Sequence, residues 1–455
     1  MRLHGFRYSG AMDKLPVRIV FLGALVGLMA SVLVILFRLS IELVQIAWLP
    51  DGQVGNYEAL PGWLHFALPI AGALLLGLLF DRLPPSMRAV GVVHVLEFLR
   101  FRKQRLPFRN ALVQFFGGWL AIVSGQSVDR EGPGVHLGAA NAALVGQRFR
   151  LKEDEHYLLA AAGGAAAIAA AYNTPLAGVI FVIEVFRLRY AISHVVPVVA
   201  ATVMGAVISQ LVYGPHPAFS VPQLAIGSLS ELPVIAIMGL LIGVIAAAFI
   251  YSVNRMARLT IAWRPLPVFL LAGTVTGLLA VCSPAIMGVS YDALNRIFLQ
   301  QLGLQALALL LIAKFVATAA SIGARLPGGL IGPSLMLGGA VGGIVELLVA
   351  AQWPAFEGSA GFYALTGMVA MMGAILHAPL AALVALMELT GNLNIILPGM
   401  IAVVGAELVT RQLVGDRSAF TTLLEVKRER EARLAMEAAP LAESKTAVPA
   451  KNSTH

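Results

Sequence analysis

Three adjacent ionisable residues, Asp129, Arg130 and Glu131, interrupt an otherwise apolar part of the chain. A charge at the middle of a bilayer costs at least about 2.5–3.5 kcal/mol, so charged residues in such a setting usually have a function. Gly132-Pro133 comes next and suits the first turn of a helix, because proline there lacks only an N–H that would have no partner. The free N–H groups of that turn and the positive end of the helix dipole predict an anion-binding site inside a membrane.

This helix start and a second motif, Pro-Leu-Ala followed by a glutamate, each occur twice in the sequence. The copies lie 200 residues (332 − 132) and 204 residues (379 − 175) apart, and proline precedes glutamate by nine residues in both halves. The sequence therefore predicts two related halves, and repeats built on broken helices that face an anion are typical of ion transporters. The copies are Gly132-Pro133 and Gly332-Pro333 for the first motif, and Pro175 to Glu184 and Pro379 to Glu388 for the second.

The composition excludes a soluble protein. The 455 residues are 58% hydrophobic and 12% charged, with a mean hydropathy of +0.83, whereas soluble proteins carry about 25% charged residues. Apolar runs near the ~20 residues that span a bilayer occur at 19–37, 63–80, 232–250 and 268–282, and others are broken by Gly and Pro. The predicted fold is an all-α polytopic membrane protein with two repeats of short tilted and half-spanning helices. The single cysteine, Cys282, excludes an internal disulfide.

Basic residues cluster in three places next to apolar segments. By the positive-inside rule these clusters face the cytoplasm, which puts both termini there and predicts a multi-pass protein of the inner (plasma) membrane. The lipid bilayer is the expected partner of these residues, and no nucleic acid is expected despite the formal net charge of +8. The clusters are Arg2, Arg7, Lys14 and Arg18; Arg100, Arg102, Lys103, Arg105 and Arg109; and Lys427, Arg428, Arg430 and Arg433.

The apolar and polar segments divide the chain into six parts. A polar Pro/Ser-rich stretch is the predicted boundary between the two repeats, and small polar residues at the end of the chain predict disorder. The predicted parts are a basic cytoplasmic lead-in at 1–16, a first transmembrane repeat at 17–213, a connector at 214–232, a second transmembrane repeat at 233–413, a C-terminal pore and cytoplasmic helix at 414–436, and a disordered tail at 437–455.

Several motifs in order resemble those of the CLC family of chloride channels and chloride/proton exchangers, over roughly residues 17–430. They are Arg-Glu-Gly-Pro at 130–133, Gly-Gly-x-x-x-Pro at 328–333 and the two Pro-Leu-Ala segments. The resemblance implies a homodimer with one anion pathway per subunit, built from two halves of inverted topology. It also implies that Glu131 is the gate, whose carboxylate competes with chloride. The anion-binding residues that it implies are Arg130, Gly132, Val90, Gly91, Leu330, Ile331 and Phe420, with Leu330 and Ile331 acting through their backbone N–H groups.

The chain departs from the family pattern at four positions. Val90 and Phe420 stand where the family has a serine and a tyrosine whose hydroxyl groups donate to the anion, and Asp129 replaces a glycine. Val185 follows Glu184 where exchangers tend to carry an inner proton-relay glutamate, so that relay position is lost. We expect weak chloride binding and poor discrimination among chloride, bromide and nitrate, because each lost hydrogen bond to a charged group is worth about 1.5–3 kcal/mol.

The other buried ionisable residues predict structural roles. Glu184 and Glu388 occupy equivalent positions in the two halves, which favours packing or helix capping over chemistry. His94, His136 and His377 stand alone in apolar surroundings without partners at metal-ligand spacing. We therefore expect no metal and no cofactor, with chloride as the bound substrate.

The motifs of this site bear on three possible functions. A gated chloride channel would open when Glu131 is protonated or displaced, whereas a chloride/proton antiporter would bring a proton to Glu131 through water. An intramembrane enzyme or assembly factor would need a nucleophile–base pair or a metal cluster, and the sequence contains no such motif. Val185 favours the channel, with exchange as the alternative. The channel predicts no stoichiometric proton uptake, and constitutive, pH-insensitive flux in Glu131→Gln or Glu131→Ala.

Overall fold

The computed structural model describes residues 17–102, 105–215, 228–353 and 361–446, and these ranges are helical almost throughout. The helices are α1 (Val17–Trp48), α2 (Gly62–Arg82), α3 (Gly91–Phe101), α4 (Phe108–Val123), α5 (Glu131–Arg148), α6 (Glu153–Tyr172), α7 (Pro175–Glu184), α8 (Ile192–Tyr213), α9 (Leu232–Leu259), α10 (Pro265–Cys282), α11 (Tyr291–Phe298), α12 (Leu304–Gly323), α13 (Ile331–Gln352), α14 (Phe362–Leu376), α15 (Pro379–Thr390), α16 (Ile396–Val414) and α17 (Ala419–Thr446).

Helix length varies as the sequence predicted. Eight helical stretches in the described part of the chain are long and apolar enough to cross a membrane. The apolar helices α4, α7, α14 and α15 have only 10–17 residues and are too short to span it. The all-α polytopic fold with half-spanning helices is therefore confirmed.

The two halves of the chain repeat the same order of helices. The helices α3 and α11 begin at Gly91 and Tyr291, and α5 and α13 begin at Glu131 and Ile331, which are intervals of 200 residues. The helices α7 and α15, and likewise α8 and α16, begin 204 residues apart. Equivalent helices therefore begin 200 or 204 residues apart, the same two spacings that separate the copies of the sequence motifs.

Reciprocal caps between α7 and α15 establish the inverted topology. Glu184, the last residue of α7, accepts hydrogen bonds of 3.1 and 2.7 Å from the N–H groups of the second and third residues of α15. Glu388, near the end of α15, accepts bonds of 2.9 and 2.8 Å from the second and third residues of α7. Each helix therefore ends beside the start of the other, so these equivalent helices run antiparallel. The predicted capping role of both glutamates is confirmed.

Glycines bring equivalent helix pairs into close contact. A Cβ atom on Gly138 would lie 2.3 Å from the carbonyl oxygen of Gly163, where α5 crosses α6. A Cβ on Gly338 would lie 2.2 Å from the carbonyl oxygen of Gly367, where α13 crosses α14. Small residues let helix backbones approach in this way inside a membrane. The helices α5 and α13 are thereby held by the helices that follow them.

The domain limits remain a proposal. The helices α1–α8 lie within 17–213, whereas α9 begins at Leu232 and α16 ends at Val414. The predicted lead-in 1–16 and residues 216–227 of the predicted connector lie outside the described residues.

The helix α17 continues to Thr446, past Glu437, where the sequence predicted the start of disorder. Alanine, leucine, glutamate and lysine in this stretch favour a helix. The prediction of disorder considered only how small and polar the residues are and neglected this helix propensity. The helix is fixed nearer its start, where Lys427 pairs with Glu97 of α3. Residues 447–455 of the predicted tail lie outside the described residues.

Candidate anion pathway

The starts of α5 and α13 meet where the two halves of the chain touch. The N–H of Asp129 donates to the carbonyl of Gly329 at 3.1 Å, and the N–H of Gly329 donates to the carbonyl of Asp129 at 3.2 Å. These residues are equivalent in the repeat, so a local two-fold axis passes between them. The helices α5 and α13 begin two residues after Asp129 and Gly329, respectively. The positive ends of two helix dipoles therefore converge, which is the arrangement that favours an anion.

The carboxylate of Asp129 occupies this point of convergence. Its Oδ1 accepts a hydrogen bond of 3.0 Å from the N–H of Gly132 in α5, and its Oδ2 accepts one of 2.7 Å from the N–H of Gly332 in α13. The side chain is fully buried. Sequence reasoning noted Asp129 only as a departure from a family glycine and missed this role. An acidic residue directly before the Arg-Glu-Gly-Pro motif was the available signal.

Glu131, the predicted gate, lies beside these N–H groups and bonds to a tyrosine. Its Oε1 accepts a hydrogen bond of 2.8 Å from the hydroxyl of Tyr291 and lies 3.6 Å from Nε of Arg130. Among the described residues, its buried Oε2 has no hydrogen-bond partner. The hydroxyl of Tyr291 is also hydrogen-bonded to that of Tyr172, the last residue of α6. Neither tyrosine was singled out from the sequence, because both are distant in the chain.

Arg130 lies within ion-pair distance of two carboxylates, those of Glu131 and Glu42. Its guanidinium forms an ion pair of 3.2 Å with Glu42 of α1 and lies 5.6 Å from the ring centroid of Tyr291. Glu42 also pairs with Arg38 at 2.6 Å. Arg130 therefore holds the loop before α5 and raises the local positive potential, and its role in anion binding stays a prediction.

The predicted backbone donors of α13 are available. Within the described ranges, the N–H groups of Leu330 and Ile331 donate to no backbone or side-chain oxygen. Both side chains are buried, with exposures of 1% and 4%. Ile331 also lines a cavity of about 30 Å³ together with Tyr172. These two N–H groups have no acceptor in the described ranges, and their role in anion binding stays a prediction.

The start of α3 differs from the expectation. Gly91 was predicted to bind the anion. Its N–H donates instead to Oε1 of Gln114 at 2.5 Å. The amide nitrogen of Gln114 donates in turn to the carbonyl of Pro327 at 3.0 Å. Val90 precedes the helix and offers no side-chain donor, and Phe420 is buried at the start of α17. The α3 start is thus tied to the loop before α13.

A larger cavity of about 210 Å³ reaches the position of the lost relay glutamate, Val185. Charged and polar side chains form much of its wall, so it suits water. Leu376, at the end of α14, lines both this cavity and the 30 Å³ cavity. The wall of the larger cavity includes Arg100, Glu184, Arg187, His377, Arg411, Asp416, Ser418 and Thr421.

The buried histidines are paired, contrary to the expectation that they stand alone. Nδ1 of His94 and Nε2 of His136 are 3.0 Å apart, and Nδ1 of His377 is 3.2 Å from a carboxylate oxygen of Glu407. The sequence could not show this, because the partners lie on different helices. In the described part of the chain, no group of three or more His, Cys, Asp or Glu residues could hold a metal ion.

Lys314 of α12 is the repeat equivalent of Gln114 and is fully buried. Its ammonium group donates to the carbonyls of Ile286 and Gly288 at 2.9 and 3.2 Å, and to the hydroxyl of Ser290 at 2.8 Å. Just as Gln114 ties down the start of α3, Lys314 ties down the start of α11. It therefore fixes Tyr291, the first residue of α11, next to Glu131.

The fold and this site define a polytopic membrane transport protein in which two helices, α5 and α13, direct their N-termini to one buried point. A family model described as voltage gated chloride channel matches residues 72–411, and the chain belongs to this family, the CLC family. The family consists of transport proteins, so the chain is a transporter and not an enzyme, as predicted.

Relatives match nearly the whole chain. The H(+)/Cl(-) exchange transporter ClcA of Vibrio cholerae serotype O1 is 31% identical over 425 residues, which is 90% of each chain. The crystal structure of a slow cyanobacterial Cl−/H+ antiporter has a TM-score of 0.79 at 23% identity, and covers 92% of this chain and 99% of that one. A CLC-type fluoride/proton antiporter has a TM-score of 0.74 at 22% identity, over 90% and 98% of the two chains.

Proposed function

We propose that the chain is a chloride/proton exchanger in which Glu131 carries the proton. The similar ClcA protein is named as an exchange transporter. This name favours exchange, the alternative in the sequence analysis, over the gated channel. The sequence favoured the channel because Val185 removes the usual inner proton acceptor. The decisive question is therefore whether another route connects Glu131 with the inner side of the protein.

The hydroxyl groups of Tyr291 and Tyr172 supply the first part of such a route, and this is the observation that carries the proposal. Tyr291 donates to Glu131, and its oxygen is hydrogen-bonded to the hydroxyl of Tyr172. Tyr172 lines the 30 Å³ cavity, as does Thr174, whose buried hydroxyl has no partner among the described residues. One water needs about 10–15 Å³, so this cavity is large enough for one, and Tyr172 and Thr174 supply the polar side chains in its otherwise apolar lining.

The 210 Å³ cavity at Val185 supplies the second part. Leu376 lines both this cavity and the smaller one, so the two spaces meet at this residue. Movement of Leu376 connects them. A proton then passes from water to Tyr172 as Tyr172 gives its own proton to Tyr291 and Tyr291 gives its proton to Glu131. Every hydroxyl is restored, and no inner glutamate is required.

The anion half of the cycle uses backbone donors. The N–H groups of Leu330 and Ile331 bind chloride, and the anion pathway of each subunit continues past Gly132 and Arg130. Bromide or nitrate also enters, because Val90 and Phe420 contribute no hydroxyl donor. In this proposal the protein is a homodimer in the inner (plasma) membrane with both termini in the cytoplasm.

Proton transport against its gradient tests the proposal. The purified protein is reconstituted into vesicles, a chloride gradient is imposed without a proton gradient, and external pH is followed. We expect chloride movement to drive protons the opposite way in the wild type, and neither Glu131→Gln nor Glu131→Ala to do so. Chloride flux without uphill proton movement in the wild type would contradict exchange and support the gated channel that Val185 favours.

A further inference from the structure

We propose that Asp129 is an intrinsic blocking anion of this pathway. Its carboxylate, and not that of Glu131, must leave the N–H groups of Gly132 and Gly332 before a chloride ion binds between them. This inference rests on the proposed transport of anions past these helix starts, but it does not depend on whether transport is coupled to protons.

The first support is the geometry of the carboxylate. Its two oxygens each accept one N–H, from Gly132 at 3.0 Å and from Gly332 at 2.7 Å, so one anionic group bridges both helix starts. The backbone pair between Asp129 and Gly329 fixes the Cα atom from which the short side chain reaches that point. An external anion that used the same two donors would overlap with the carboxylate.

The second support is the position of Glu131. Its carboxylate is held by the hydroxyl of Tyr291 at 2.8 Å, and no hydrogen bond joins it to either helix-start glycine in the described structure. The two carboxylates thus have different settings. That of Asp129 occupies donors an anion would use, whereas that of Glu131 lies at the end of a chain of hydroxyl groups that can deliver a proton.

The third support is the asymmetry of the two halves at this point. A Cβ atom on Gly329, the repeat equivalent of Asp129, would lie 1.9 Å from Oδ1 of Asp129. A Cβ on Gly132 would lie 2.6 Å from the Cα of Gly329. The space therefore accepts one carboxylate only. The glycines on both sides leave room for that group and none for a second ion while Asp129 is in place.

Two consequences separate this role from that of a gate at Glu131. Neutralising Glu131 leaves both N–H groups occupied, so anion binding at this position stays weak. Replacing Asp129 with the glycine that its repeat partner carries frees both donors. Freed donors should then tighten anion binding by at least about tenfold, the smallest factor expected for one hydrogen bond to a charge.

The test is equilibrium binding of chloride and bromide to the purified full-length protein, measured by titration calorimetry without any gradient. Asp129→Gly is expected to bind both anions at least about tenfold more tightly than the wild type, and Glu131→Gln to stay within about twofold. The proposal is overturned if Glu131→Gln tightens binding and Asp129→Gly does not, or if Asp129→Gly folds with unchanged affinity, which would make Asp129 only a clip between α5 and α13.

Crystallography with bromide provides a second readout if Asp129→Gly does not fold. Anomalous scattering is expected to show no bromide between the N–H groups of Gly132 and Gly332 in the wild type, and bromide there in Asp129→Ala, which removes the group that fills this space. Bromide at that position in the wild type, with Asp129 in place, would overturn the proposal. Both measurements are independent of coupling, so a failure of uphill proton transport would leave this inference intact.

Discussion

Removing the hydroxyl of Tyr291 should separate proton transport from anion transport. In Tyr291→Phe the ring keeps its size, but the 2.8 Å hydrogen bond to Glu131 and the bond to Tyr172 are lost. A hydrogen bond to a charged group contributes about 1.5–3 kcal/mol, which corresponds to a factor of about 10–150 in an equilibrium. The carboxylate is released more readily by that factor, and the route loses the hydroxyl that is bonded to it in the described structure.

We therefore expect Tyr291→Phe to reduce proton transport by at least about tenfold, while chloride flux changes by less than about threefold. Both fluxes are measured in the same vesicles, with a chloride electrode and a pH electrode, and their ratio is compared with that of the wild type.

Tyr363→Phe is the matched control. The hydroxyl of Tyr363 donates to the buried Glu231 at 2.9 Å, so this variant loses the same type of bond away from the pathway. It should leave the ratio of the two fluxes unchanged. If Tyr291→Phe lowers the chloride flux and the proton flux together and leaves their ratio unchanged, the hydroxyl route to Glu131 is refuted.

Three further predictions concern the scaffold and the anion site. Glu388→Gln should lower the free energy of unfolding in mixed micelles by about 1–3 kcal/mol, because the side chain keeps only one of the two oxygens that accept hydrogen bonds from the start of α7. The surface ion pair lost in Glu429→Gln should cost less than about 1 kcal/mol. Lys314→Met leaves three buried acceptors unpaired, so the yield of monodisperse protein should fall sharply, and less so in Lys314→Gln. Val90→Ser combined with Phe420→Tyr should tighten chloride binding in calorimetry by at least about tenfold, and unchanged affinity would place both side chains away from the anion.

The sequence alone determined the class of protein and the plan of its fold. Apolar runs report membrane helices because the bilayer requires about 20 apolar residues to cross it. Helix starts at Gly132-Pro133 and Gly332-Pro333 follow from the local chemistry of proline. The repeat was visible because equivalent motifs keep their spacing along the chain. The capping role of Glu184 and Glu388 followed from that symmetry, although the identity of the capped helices did not.

Only the tertiary structure decided which groups occupy the site. Asp129 reaches Gly332 across 203 positions of sequence, and Tyr291 reaches Glu131 across 160. The sequence predicted that the helix-start N–H groups bind an anion, and the resemblance implied that Glu131 competes with it, whereas in the folded chain two of these groups donate to Asp129. Local patterns cannot predict such pairs, because a side chain of a few ångströms finds its partner only after the two halves have packed. The chemistry of the pathway therefore depends on contacts between the two halves. The sequence of each half specifies only its helices.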